Sequence, residues 1–281
     1  MTYLQAVCLA LIQGVTELFP ISSLGHAVVV PALLGWSLDQ SAAGFLPFLV
    51  FLHFATAAAL LFFFRRDWVA LFSGLLGRHG EAYRAQSRHI LLLIVVATIP
   101  ALIVGAALEA PLRRLFGTPR LAAGFLVLNG LLLLAADRLR RNEARALASV
   151  AEMTVFDAVV IGVWQCLAFL PGISRSGATI IGGVRRGLGH ETSARFSFLI
   201  AQPVILAATA HQLLKWRHLP PGASTLPVGV IIAGGIAAGA AALASTAILM
   251  RYFRNHEDWA MAPFGFYCLG FGLLSLAWLS L

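Results

Sequence analysis

The chain alternates long apolar runs with short polar interruptions, and the interruptions carry most of the information. Runs long enough to cross a bilayer, which takes ~20 residues, occupy about 43–64, 89–109, 121–137, 195–214, 226–250 and 260–281. They predict about six full transmembrane helices. Two further apolar regions, about 4–36 and 155–188, are broken midway. The first break is Pro20-Ile21-Ser22-Ser23-Leu24-Gly25-His26; the second is Pro171-Gly172-Ile173-Ser174-Arg175-Ser176-Gly177-Ala178-Thr179. Each region reads as a re-entrant pair of short helices that enters and leaves on the same side. Charged and titratable groups at membrane depth cost about 2.5–3.5 kcal/mol each on insertion scales, so Glu17, His26 and Arg175 default to function. Non-helical backbone at that depth is tolerated only inside protein or along a wet cavity. The two breaks therefore predict the walls of a polar chamber.

Composition fixes the class. The 281 residues are 59% hydrophobic and 11% charged, with a mean hydropathy of +0.86, whereas soluble domains carry about 25% charged residues. The expected fold is all-α, a polytopic integral membrane protein forming a single membrane domain. A net charge of +8 could suggest nucleic acid, but the arginines gather at the ends of apolar runs. The positive-inside bias and anionic headgroups explain that distribution, and no nucleic-acid partner is expected. Cys8, Cys166 and Cys268 lie scattered in apolar runs without paired spacing, so neither a disulfide framework nor a zinc site is read. The segment Met1–Val7 has no basic n-region, and no removable signal peptide is expected.

The connections set orientation. The 65–89 stretch holds Arg65, Arg66, Arg78, Arg84 and Arg88; the 138–153 stretch holds Arg138, Arg140, Arg141 and Arg145. Arg185, Arg186, Arg251 and Arg254 mark two more basic ends. Placing all four on the cytoplasmic side leaves both termini outside, with Arg113, Arg114, Arg120, Lys215 and Arg217 as the minority. An offset of 152 residues superposes Gln13 on Gln165, Ile21 on Ile173, Ser22 on Ser174 and Gly25 on Gly177. Three spans separate the copies, so the second enters from the opposite face. This is the pattern of an inverted-topology repeat, with halves of about 1–137 and 153–281 and a site near the midplane.

Gln13 and Glu17 are four apart and share one helix face. His26 follows Ser22-Ser23 across a glycine. Ser174, Arg175, Ser176 and Thr179, with a helix beginning near Ser176, make a phosphate-type anion site, in which arginine offers a fork for two oxygens at once.

The runs Gln13-Gly14-Val15-Thr16-Glu17-Leu18-Phe19-Pro20-Ile21-Ser22-Ser23-Leu24-Gly25-His26 and Pro171–Thr179 resemble the two signature motifs of the bacterial undecaprenyl-diphosphate phosphatase family, the bacitracin-resistance type. Further similar stretches are Leu52-His53-Phe54-Ala55-Thr56, Phe64-Arg65-Arg66-Asp67-Trp68, Gly162–Ala168 and Arg195–Leu199. The resemblance implies a hydrolase that takes the terminal phosphate from a C55 polyprenyl diphosphate, so that the monophosphate carrier is reused for cell-wall assembly. It implies a multi-pass protein of the bacterial inner (plasma) membrane. The active site would face the periplasm and use a divalent cation, Mg²⁺ or Ca²⁺; a homodimer is compatible with it. Carried over by position, Glu17, Ser23, His26 and Arg175 are catalytic. Ser22, Ser174, Arg175, Ser176 and Thr179 bind the diphosphate, and Gln13 and Glu17 handle metal or water. Two departures reduce the carboxylate count: Gln13 takes an acidic position, and Leu49 stands where the family often has an acid.

The residue types alone leave two routes open, attack by Ser23 activated by His26 or by a water that Glu17 or His26 orients. His53 reads as a hydrogen-bonded helix residue. A transporter or flippase of a polyprenyl phosphate is the rival from another class, because broken helices in inverted repeats are a transporter architecture.

Overall fold

The computed structural model describes residues 1–36, 45–108, 118–140, 147–216 and 227–281. Eleven α-helices run through them: α1 (Tyr3–Thr16), α2 (Ser23–Leu33), α3 (Phe45–Phe63), α4 (Arg65–Leu75), α5 (Glu81–Ala107), α6 (Pro119–Arg140), α7 (Val155–Cys166), α8 (Arg175–Arg185), α9 (His190–Trp216), α10 (Val228–Asn255) and α11 (Ala262–Ser280). No β-strand occurs among the described residues. Helices answer every backbone donor and acceptor within one segment, which hydrocarbon demands. The chain is an all-α, multi-pass membrane protein.

Five helices, α5, α6, α9, α10 and α11, are long and apolar enough to cross a bilayer, and α3 with α4 makes a sixth if counted as one span bent by 66°. The bend is where the sequence reading differs. The arginine-rich 65–89 stretch is not a loop: α4 and the first two turns of α5 occupy most of it. Val69, Phe72 and Leu76 stand exposed in a helical stripe that begins at Arg65, so the run is amphipathic and lies across the end of α3. Arg113, Arg114, Arg141, Arg145 and Arg217 lie outside the described residues.

α2 and α8 hold 11 residues each, roughly 16 Å of rise, about half the hydrocarbon core. Their starts are set by serines. Ser22 Oγ accepts from the Gly25 amide at 3.2 Å, and Ser174 Oγ accepts from the Gly177 amide at 3.1 Å, supplying partners to otherwise orphaned helix donors. The helices that lead into the breaks are also capped alike. Thr2 with Gln5 opens α1, and Thr154 with Asp157 opens α7, both as reciprocal capping boxes. Both features, the serine cap and the capping box, recur at the offset of 152 residues.

Packing repeats too. α1 lies on α10 as α7 lies on α5; α3 meets α10 as α9 meets α5; α8 touches α6 as α2 touches α11; and α6 with α11, α3 with α9, pair across the middle. At one end of the bundle, Arg186 pairs with Asp157 (2.6 Å), Arg254 with Glu191 (3.2 Å), His190 with Glu257 (3.2 Å), and Arg195 with Asp67. At the other end, Arg120 donates to the Leu279 carbonyl (2.7 Å) and the Tyr3 hydroxyl lies against Gly229. Both termini sit at this second end.

Candidate active site

The two breaks meet inside the bundle. Asn129 on α6 joins them: its Nδ2 donates to the Pro20 carbonyl (3.0 Å) while its Oδ1 accepts from the Ser174 amide (3.0 Å). Ser176 Oγ donates to the Phe19 carbonyl at 3.2 Å. Backbone groups freed at the breaks are thus answered by Asn129 and by Ser176 of the facing break, as water-free surroundings require. The approach is tight at Gly25 and closed to any side chain at Gly172. A Cβ on Gly25 would stand 3.0 Å from the Gly172 Cα, and Gly172 itself has φ +119° with the Ala122 carbonyl oxygen 2.4 Å from where its Cβ would lie.

Beside this crossing lies a chamber of about 310 Å³. Its polar floor is Thr16, Glu17, Ser22, Ser23, His53, Gln165, Ser174 and Arg175; α3, α5 and α9 supply Val50, Ala101, Val204, Ile205 and Ala208 as apolar walls. Val50 lies in the first half of α3 and His53 at its middle, and Ala101 lies in the last third of α5. The chamber therefore sits in the half of the bundle that holds the chain termini, away from the arginine-rich end.

Glu17 is the hub. Its Oε2 accepts from Ser23 Oγ at 2.6 Å and from Gln13 Nε2 at 3.1 Å; its Oε1 accepts from Arg175 Nη2 at 2.9 Å. His53 Nε2 stands 3.4 Å from Oε2. The other ring nitrogen of His53, Nδ1, lies 2.8 Å from the Leu49 carbonyl. A carbonyl only accepts, so Nδ1 carries the hydrogen and Nε2 is left to face the carboxylate. Arg175 sends a second, longer bond to the Ser197 carbonyl (3.4 Å), which leaves guanidinium donors for a ligand.

The sequence-predicted residues divide. Glu17, Ser22, Ser23, Ser174 and Arg175 line the chamber, and Gln13 backs Glu17 from behind. Ser176 and Thr179 do not line it. Both are buried, and their hydroxyls bond within the fold: Ser176 to the Phe19 carbonyl and to Ser174, Thr179 to the Arg175 carbonyl (2.8 Å) and to Ser197 Oγ (2.6 Å). A helix turn that starts at Arg175 aims these two side chains at neighbouring helices. His26 is also absent from the lining and makes no hydrogen bond to Ser23. Its Nδ1 is 2.7 Å from the Ser22 carbonyl and its Nε2 is 2.8 Å from the Tyr267 hydroxyl. The expected Ser23–His26 pair is therefore a Ser23–Glu17 pair. The sequence reading took His53 for a hydrogen-bonded helix residue, which its bond to the Leu49 carbonyl makes it, but did not place it against Glu17. A histidine inside a span was the available signal, and its isolation in sequence hid its neighbours.

No group of three or more His, Cys, Asp or Glu able to hold a metal comes together among the described residues. Glu17 is the chamber's one carboxylate and already meets a guanidinium, an amide and a hydroxyl. Among the described residues, Gln13 Oε1 behind Glu17 and Gln165 Oε1 in the chamber lining are buried with no hydrogen-bond partner. This set suits a cation that arrives with phosphate oxygens, not one caged by the protein.

Residues 6–274 match the family described as bacitracin resistance protein BacA. The chain is similar to the undecaprenyl-diphosphatase of Gluconacetobacter diazotrophicus, 59% identical over 98% of this chain and 96% of the relative. It is similar to that of Granulibacter bethesdensis, 53% identical over 99% and 97%. The undecaprenyl-diphosphatase of Mycolicibacterium paratuberculosis is 43% identical over 100% and 98%.

Proposed function

The chain belongs to the bacitracin resistance protein BacA family, and we propose that it hydrolyses undecaprenyl diphosphate to undecaprenyl phosphate and inorganic phosphate. The product is the lipid carrier that cell-wall synthesis reuses, which accounts for the resistance in the family's name. That the similar proteins carry phosphatase names favours this over a lipid transporter. The single observation that carries it is the contact of Ser23, Glu17 and Arg175 on the floor of an otherwise apolar chamber.

Phosphoryl transfer asks for positioning and charge neutralisation more than for covalent chemistry. Arg175, with donors to spare, binds the oxygens of the terminal phosphoryl group. Ser22 and Ser174 face the diphosphate beside it, and the apolar walls take the first isoprene units. Ser23 Oγ attacks the terminal phosphorus and gives its proton to Glu17 Oε2, 2.6 Å away. The bond to the bridging oxygen breaks, and the monophosphate leaves. Water then hydrolyses the phosphoserine. His53 Nε2, held toward Glu17 by the Leu49 carbonyl, takes the proton on from the carboxylate.

An Mg²⁺ or Ca²⁺ ion would enter on the diphosphate, with Glu17 and Gln13 Oε1 as the protein's share, and would neutralise charge on the departing phosphate. In the membrane, we read residues of about 1–137 and 153–281 as two halves of opposite orientation. The arginine-rich end faces the cytoplasm of the bacterial inner membrane, and the chamber faces the outer, periplasmic side.

The test is phosphate release from C55 polyprenyl diphosphate by the purified chain with Mg²⁺ or Ca²⁺, beside Ser23→Ala and Arg175→Ala. Release by the parent, reduced at least about a hundredfold in each variant, is expected, with label from the terminal phosphate trapped on Ser23. A folded parent that releases none would overturn the reading.

A further inference from the structure

Ser22 is one of two non-glycine residues with positive φ among the described residues, at φ +69° and ψ 101°. Its counterpart at the offset of 152 residues, Ser174, caps its helix at an ordinary φ of −82° and ψ of 127°. The cap itself therefore does not need the left-handed backbone. What differs is the next residue: Ser23 in the first copy, aimed at Glu17, and Arg175 in the second. Strained backbone of this kind persists only where its surroundings over-determine it.

The surroundings are His26 and α11. The Ser22 carbonyl receives both the His26 amide (3.3 Å) and the His26 ring at Nδ1 (2.7 Å). Because a carbonyl cannot donate, Nδ1 bears the hydrogen and Nε2 of the neutral ring is an acceptor. Tyr267 fills it, donating its hydroxyl hydrogen across 2.8 Å. The imidazole also stacks on Phe271 (centroids 4.8 Å, planes 5° apart) and on Tyr267 (5.7 Å, 10°), and is buried. In the second copy, where the serine is relaxed, the position of His26 holds Ala178. Strain and brace are present together or absent together.

We infer that Tyr267, acting through His26, is a positioning residue: the two hold the Ser22 carbonyl in the left-handed turn that aims Ser23 Oγ at Glu17. His26 then serves by its Nδ1–H and not as a proton acceptor, since Nε2 is closed off by the tyrosine. The inference rests on the reading that Ser23 and Glu17 carry the chemistry.

The experiment measures kcat and KM for phosphate release, on variants that elute and melt as folded protein. Ser23→Ala and Glu17→Gln test the underlying reading: if both keep the parent's kcat, that reading fails whatever His26 does. With those two inactive, His26 is varied. Asparagine places an amide N–H near the position of Nδ1, and glutamine places one near Nε2. His26→Asn is expected to keep kcat within about fivefold of the parent, whereas His26→Gln and His26→Ala lose about a hundredfold, KM staying level in all three. Tyr267→Phe keeps the stack and loses the hydroxyl, for a drop of about fivefold in kcat.

A second set makes the result independent of the asparagine. Glycine takes positive φ without penalty, so in a Ser22→Gly background the Tyr267→Phe loss should shrink to under about twofold. His26→Asn as inactive as His26→Ala, together with an undiminished Tyr267→Phe loss in the glycine background, would overturn the inference and return His26 to proton transfer. A raised KM at unchanged kcat in Tyr267→Phe would overturn it equally, since the tyrosine would then serve binding alone.

Discussion

Replacing Glu17 by glutamine tests fold and chemistry through one lost charge. The carboxylate is buried, with 6% of its side chain exposed, and Arg175 opposite it has 13%. Removing one partner of such a pair strands the other, which costs about 3–5 kcal/mol. Glutamine still offers Arg175 and Ser23 an acceptor oxygen, so the lower end, about 3 kcal/mol, is expected. At roughly 2–4 °C per kcal/mol for a chain of this size, Tm falls by about 6–12 °C. Turnover falls further, by about 10²–10⁴, because the acceptor for the Ser23 proton is gone. A third readout separates the two effects. Inorganic diphosphate gives the stranded guanidinium a new partner, so it should raise the Tm of Glu17→Gln more than that of the parent. The assays are thermal unfolding in detergent with and without diphosphate, and phosphate release from the C55 substrate. A variant that melts with the parent and turns over at the parent's rate would refute the reasoning, since Glu17 would be neither a charge partner nor a base.

Arg175→Lys keeps the charge but not the fork, and kcat/KM should fall about tenfold to a hundredfold in the release assay. Ser176→Ala and Thr179→Ala should each cost about 1–3 kcal/mol in thermal unfolding, because buried carbonyls or hydroxyls lose their partners. KM for the diphosphate should stay within about twofold of the parent, since neither residue lines the chamber. Gly172→Ala places a methyl 2.4 Å from the Ala122 carbonyl oxygen at φ +119°, and no monodisperse protein should be recovered on gel filtration. Gly35→Ala, at φ +60° with nothing within 4 Å, should cost only about 1–2 kcal/mol and serve as its control.

Much of this protein is local and was readable as such. Apolar runs fixed the spanning helices because hydrocarbon excludes unpaired backbone. The caps at Thr2, Ser22, Thr154 and Ser174 are local as well, each bonding a backbone amide three positions on, although the sequence reading had placed the second break's helix start near Ser176 and not at Arg175. The same locality made the offset of 152 residues visible from Gln13, Ile21, Ser22 and Gly25. Glu17 and Arg175 were legible for an equally simple reason: charges inside apolar sequence need a function.

Tertiary structure decided which side chain does what. Ser23 and Ser176 are both hydroxyls in glycine-bearing breaks, yet one faces the chamber and the other answers the Phe19 carbonyl, because helices from distant parts of the chain set their surroundings. His26 lies three residues from Ser23 and His53 lies thirty, yet it is His53 and not His26 that lines the chamber and faces Glu17. The ring of His26 is claimed by Tyr267, 241 positions away, while α3 carries His53 to within 3.4 Å of Glu17. Hydrogen bonds act over about 3 Å whatever the separation along the chain. Periodicity and spacing therefore determine where the elements and the charges lie, and only the packing of one helix on another determines their partners.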